Sequence, residues 1–166
     1  MAKRNQRSGR DLGVGVVAYA QSRMKLSRFN MLVGFEVERL SEGGAVVSMT
    51  VRDDHRQIHG VVHGGVTAAL ADTAAAFAAY TVVPKGTELV TIELKINYLL
   101  PIPEGKVRAE GRVLRAGRNF IVVECEVRNH AGETAAKALM TFAASAGKRL
   151  RKRAESARAT ARSRKR

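Results

Sequence analysis

The chain has 166 residues, yet it holds one cysteine, three prolines and no apolar run near the roughly 18 residues needed to cross a membrane. A single thiol, Cys125, excludes a disulfide within the chain and a cysteine-based metal site. Its place in an alternating pattern marks it as a small buried hydrophobe. Acid is scarce at both ends: Asp11 is the only acidic residue among residues 1–11, and Glu155 the only one among residues 148–166. Those ends carry 4 and 10 of the 29 Lys and Arg residues, so 15 basic residues face 13 acidic ones between them. The formal charge of +14 therefore describes the ends, and the middle of the chain is nearly neutral.

What is present suits one globular domain: 45% of residues are hydrophobic, enough for a core of its own. The expected division is a basic segment over 1–11, a folded domain over 12–147 and a basic tail over 148–166. The tail has no large apolar residue after Leu150 and cannot bury a core. It reads either as a solubilising tail or as an electrostatic contact for nucleic acid or an acidic surface. The N-terminus imitates an export signal, with Lys3, Arg4, Arg7 and Arg10 ahead of Leu12 to Ala20. Gly13 and Gly15 interrupt that stretch and its apolar pattern runs on to Met31, so an amphipathic helix is the better reading. A soluble, cytoplasmic protein is expected.

Residues 33–52 read as two strands broken at Glu42, Gly43 and Gly44. A helix is expected over about 63–80, stopped by Pro84 and Gly86. Val90, Ile92, Leu94, Ile96 and Tyr98 then alternate with polar residues in a strand that Pro101 and Pro103 close. A second hairpin turns about Ala116, Gly117 and Arg118, and Asn129 to Gly132 leads into a last strand ending near Ala144. The order helix, two strands, helix, four strands predicts an α+β domain in which an antiparallel sheet curls around one long central helix.

The chemistry concentrates in His59, Gly60, Val61, Val62, His63, Gly64, Gly65 and Val66, which lead into an alanine-rich helix carrying a lone carboxylate, Asp72. A glycine pair at a helix start lets a carbonyl approach bare backbone N–H groups, where the helix dipole favours developing negative charge. An acid on an apolar helix also fits a solvated residue or a buried ion pair. Histidines four apart suit zinc on a helix, but Gly60 and the expected loop between His59 and His63 argue against it. Gly111 to Gly117 lacks the lysine pattern of a phosphate loop.

Gln57, Gly60, His63, Gly64, Gly65, Ala69, Leu70, Asp72 and Thr73, followed by Tyr98, Leu99, Leu100 and Pro101, carry a resemblance. Over about residues 30–145 the chain resembles the hot-dog-fold acyl-CoA thioesterases, in particular the phenylacetate-pathway (PaaI-like) branch. The resemblance implies that the Gly64 N–H polarises the thioester carbonyl and that Asp72 is the catalytic carboxylate, as general base or as nucleophile. It implies that Gln57 orients the thioester or the attacking water, that His63 steadies the glycine turn, and that Thr91 stands near the water. Gly65, Thr73, His59 and Phe77 are expected along the substrate. Ala76 departs from relatives that carry Ser or Thr there. The acyl group would be aromatic or of medium chain length, with coenzyme A arriving as part of the substrate and no cofactor or metal needed. Arg52, Arg56, Lys85, Arg115, Arg118 and Lys137 are unranked candidates for its phosphates. A homodimer or homotetramer is implied, with Gly64 and Asp72 of one site on different chains. Two alternatives stand beside this: a non-catalytic acyl-CoA-binding regulator with a nucleic-acid-binding tail, and a hot-dog hydratase or dehydratase. The proline-rich histidine motif of the latter is missing, because no proline lies between Arg52 and Val83.

Overall fold

The computed structural model describes residues 9–146, so the basic tail over 148–166 lies outside the described residues, as do residues 1–8. Among the described residues, six antiparallel strands form one sheet in the order β1-β2-β4-β5-β6-β3, and a single long helix packs on it. The strands are β1 (Glu36–Ser41), β2 (Gly44–Thr50), β3 (Thr87–Tyr98), β4 (Lys106–Ala116), β5 (Phe120–Arg128) and β6 (Thr134–Ala146). This is the expected hot-dog arrangement.

The helix α3 (Gly64–Tyr80) turns a row of small residues to the sheet: Ala71, Ala74, Ala75, Ala78 and Ala79 are fully buried, with Leu70 the one large side chain among them. Small residues let the two backbones approach closely. The approach is tightest over Gly111 of β4, where an added Cβ would meet the Ala74 carbonyl oxygen at 2.8 Å. From the sheet, Ile121, Val123, Cys125 and Val127 of β5 point inward while Glu124 and Glu126 point outward, the period-2 pattern of a half-buried strand. Burial pushes the Cys125 thiol well above its ordinary range, so this side chain is packing material. The outer face is laced with ion pairs, Arg112 with Glu124 and Lys106 with Glu38 among them.

The N-terminal helix differs from expectation in being two helices, α1 (Gly13–Met24) and α2 (Arg28–Val33). Ser27 causes the break, because it adopts an extended conformation and caps α2 by accepting from Asn30 N at 3.2 Å. The ordered backbone begins before residue 12: Glu42 N donates to the Arg10 carbonyl, and Asp11 bridges Ser41. α1 lies along β1, where the Gln21 side chain accepts from Val37 N at 2.7 Å at the sheet edge.

β3 forms the opposite edge. It pairs with β6 on one side only, and Val90, Ile92 and Leu94 of its apolar face are exposed in the single chain. A bulge between Thr91 and Glu93 breaks their alternation.

Candidate functional site

The glycine turn is held from both sides. Val62 N donates to the Ile102 carbonyl at 2.8 Å, tying the turn to the segment after β3, and His63 N donates to the His55 carbonyl at 2.8 Å. His55 sits in a single 3-10 turn, Asp53–His55, and is buried. Its Nδ1 accepts from Arg52 N at 3.1 Å, and burial, then the nearby Arg52 charge, push its pKa below the usual histidine range. Arg56 braces the same loop, donating to the carbonyls of Gly60 and Pro103 and pairing with Asp53.

α3 starts at Gly64 with His63 as its N-cap; His63 Nδ1 accepts from Gly65 N at 2.9 Å. The His63 carbonyl accepts from Val66 N at 2.9 Å and Thr67 N at 3.3 Å. Every helix start leaves its first N–H groups without helical partners. Here the amides of Gly65, Val66 and Thr67 are all engaged, and among the described residues only the Gly64 N–H of that turn finds no acceptor. It borders a cleft of about 370 Å³ lined by Gln57, Val61, Thr67, Tyr98 and Leu100, among others. An unpaired N–H at the positive end of a helix is a place for developing negative charge.

Asp72 and Thr91 form a second group. The Thr91 hydroxyl donates to Asp72 Oδ1 at 2.8 Å, from the edge strand to the open side of α3. Burial raises the Asp72 pKa above the ordinary carboxylate value, and the Thr91 hydrogen bond partly opposes that rise. Eight residues of helix separate Asp72 from Gly64, about 12 Å along the axis.

The other expected site residues are placed unevenly. Gln57 lines the cleft beside Gly64. His59 is exposed on the preceding turn, and Gly65 is exposed at the helix start. Thr73 spends its hydroxyl on the Ala69 carbonyl at 2.8 Å, a bond within its own helix. Phe77 is half-buried one turn beyond Thr73 and packs against the core. Two polar cleft residues were given no site role from the sequence: Thr67, buried next to the turn, and Tyr98, whose hydroxyl donates to the Gly64 carbonyl at 2.8 Å. The Thr67 position, three residues past Gly64 at helical spacing, was a usable signal; the Tyr98 contact joins residues 34 apart and had none. Of the candidate phosphate ligands, Arg52 is bound to the Leu32 carbonyl, Arg56 to the loop and Lys137 to Glu126 at 3.7 Å. Among the described residues no three His, Cys, Asp or Glu side chains converge as a metal site would require.

A family model described as the thioesterase superfamily matches residues 59–136. A protein of Saccharolobus solfataricus, provisionally named esterase SSO2140, is 39% identical over 104 residues, which cover 63% of this chain and 74% of that protein. The solved structure of thioesterase HI1161 from Haemophilus influenzae superposes with a TM-score of 0.75 at 25% identity, covering 79% of this chain and 91% of that one. The E. coli PaaI protein from the phenylacetic acid degradation operon superposes at 0.69 with 26% identity, covering 79% and 95%.

Proposed function

Because the chain belongs to the thioesterase superfamily, we propose that it hydrolyses an acyl-CoA with an aromatic or medium-chain acyl group, releasing the free acid and coenzyme A. The observation that carries this reading is the unpaired N–H of Gly64, a residue that lines the cleft. In the proposal it donates to the carbonyl oxygen as water attacks, and such a donor is worth ~100- to 1000-fold in rate. Asp72 serves as base toward the water, or as nucleophile toward the carbonyl carbon, while the Thr91 hydroxyl fixes one of its oxygens. In the water route Asp72 takes a proton from the attacking water, the C–S bond breaks, and the sulfur leaves as the thiol after taking up a proton. Gln57, on the cleft wall, orients the thioester.

Distance decides the oligomeric part of the proposal. With about 12 Å of helix between Gly64 and Asp72, one site combines the glycine turn of one chain with the carboxylate of a second. The exposed apolar residues of β3 supply a reason for two copies to join, since a twelve-residue edge strand with Val90, Ile92 and Leu94 in water is an unfavourable end state for a sheet. A homodimer, or a tetramer built from two such dimers, meets both requirements.

The test is release of free coenzyme A thiol from a panel of aryl- and straight-chain acyl-CoAs, with Asp72→Asn assayed at equal folded concentration. Cleavage that falls by ~100-fold or more in the variant supports the reading. Binding of acyl-CoA without cleavage by the wild type would make the chain an acyl-CoA-binding domain instead.

A further inference from the structure

The Tyr98 hydroxyl donates to the carbonyl of Gly64 at 2.8 Å, and His63 Nδ1 accepts from the amide of Gly65 at 2.9 Å. That carbonyl and that amide are the two ends of one planar peptide unit. The preceding unit, which carries the Gly64 N–H, is held at its own carbonyl by the amides of Val66 and Thr67. With both units pinned, Gly64 has little torsional freedom left with which to redirect its N–H, although it is the residue type with the most.

The glycine pair has its explanation in these same two side chains. A Cβ on Gly64 would lie 3.1 Å from Tyr98 Cζ and 3.2 Å from its hydroxyl oxygen, and a Cβ on Gly65 would lie 3.0 Å from His63 Nδ1. Each glycine thus leaves room for one of the two groups that hold the turn. Tyr98 ends β3, so its bond also sets the first turn of α3 against the cleft wall formed by Leu99 and Leu100.

We infer that Tyr98 is a positioning residue for thioester hydrolysis: through the Gly64 carbonyl it aims the neighbouring Gly64 N–H into the cleft, without itself touching the reacting atoms. The inference rests on the proposed role of Gly64 as the oxyanion donor. Tyr98→Phe keeps the ring against Gly64 and removes only the donated hydrogen bond.

The experiment compares the full-length wild type, Tyr98→Phe, His63→Ala, the double variant and Tyr19→Phe, an exposed tyrosine on α1 that serves as control. It reads kcat and KM separately on the best acyl-CoA, together with the Gly64 and Gly65 amide signals by NMR. Tyr98→Phe is expected to lower kcat about 10-fold, a fraction of what losing the whole donor would cost, with KM held within about 2-fold. Both glycine amide signals move, and the double variant loses less than the product of the single losses, because both side chains hold one peptide unit. A raised KM with kcat intact would make Tyr98 only a wall of the cleft and would overturn the inference. Unmoved glycine amides, or strictly multiplicative losses, overturn it too. A wild type that cleaves no thioester refutes the hydrolase reading instead; the amide signals then decide whether Tyr98 holds the turn.

Discussion

The Thr91 hydroxyl donates to Asp72 Oδ1 across 2.8 Å, so the edge strand and the open side of the central helix meet at one carboxylate. Two effects of opposite sign act on that acid: burial, the larger, raises its pKa, and the bond from Thr91 lowers it. If ionised Asp72 drives catalysis, the acid limb of kcat/KM lies above the ordinary carboxylate value. Thr91→Val leaves burial unopposed, and the limb moves to higher pH. A rate–pH profile of the two proteins checks this, and a limb that stays in place or moves down refutes it.

The same raised pKa is a statement about stability. An acid whose pKa is higher folded than unfolded favours the fold below its unfolded value and loses that advantage as pH rises through the folded value. Asp72→Asn is therefore expected to melt higher than the wild type above the raised folded pKa, with the gain fading as pH falls through that value and gone below the ordinary carboxylate value of about 4. Thermal melts across pH read the difference directly.

The 12 Å of helix between Gly64 and Asp72 gives the complementation experiment its sign. Asp72→Ala and Gly64→Pro subunits are each inactive alone in the proposed scheme. Mixed by unfolding and refolding together, half of the dimers pair one of each, and each such dimer regains one of two sites. Activity of roughly a quarter of the wild type is expected in the assay for thiol release. Mixtures as inactive as the separate variants would place both groups of a site on one chain.

Gly111 lies under the backbone of Ala74 and Ala75, with no space for a methyl group. Gly111→Ala must lift α3 from β4, which is expected to cost about 1–3 kcal/mol in denaturant unfolding. Because Asp72 rides on the same stretch of helix, kcat falls beyond what the loss of folded protein explains. An unchanged midpoint would mean that the helix seats less tightly on the sheet.

On the outer face, burial raises the Glu38 pKa, but the ion pairs with Lys106 and Arg108 outweigh it and hold the carboxyl at about 2, below the ordinary 4.5. A lowered acid contributes stability above its unfolded pKa and loses it as pH falls through the folded value. Glu38→Gln is expected to cost about 0.5–1 kcal/mol at pH 7, since the group is partly exposed, and the cost shrinks as pH falls from 4.5 toward 2. Urea midpoints at the two pH values separate the curves.

Much of this protein was legible in the order of its residues. The alternation in 90–98 and 119–128, the alanine-rich run after Gly65 and the turn residues between them specify an antiparallel sheet with one helix, because a strand and a helix each bury a face with its own period. That His63 steadies the glycine turn was readable, since the side chain and the amide it accepts from are neighbours in sequence. Tertiary structure alone decided the rest. The two N-terminal helices part at Ser27 because a local cap outcompetes a continuous apolar stripe. In the single chain the apolar residues of β3 are exposed because strand order, which sequence period does not encode, leaves that strand at the edge of the sheet. Thr91 reaches Asp72 across 19 positions and Tyr98 reaches Gly64 across 34, contacts that exist only once the sheet has closed on the helix. Local chemistry named the glycine turn and the acid; their partners, and the distance that separates them in one chain, come from the packing of β3 against α3.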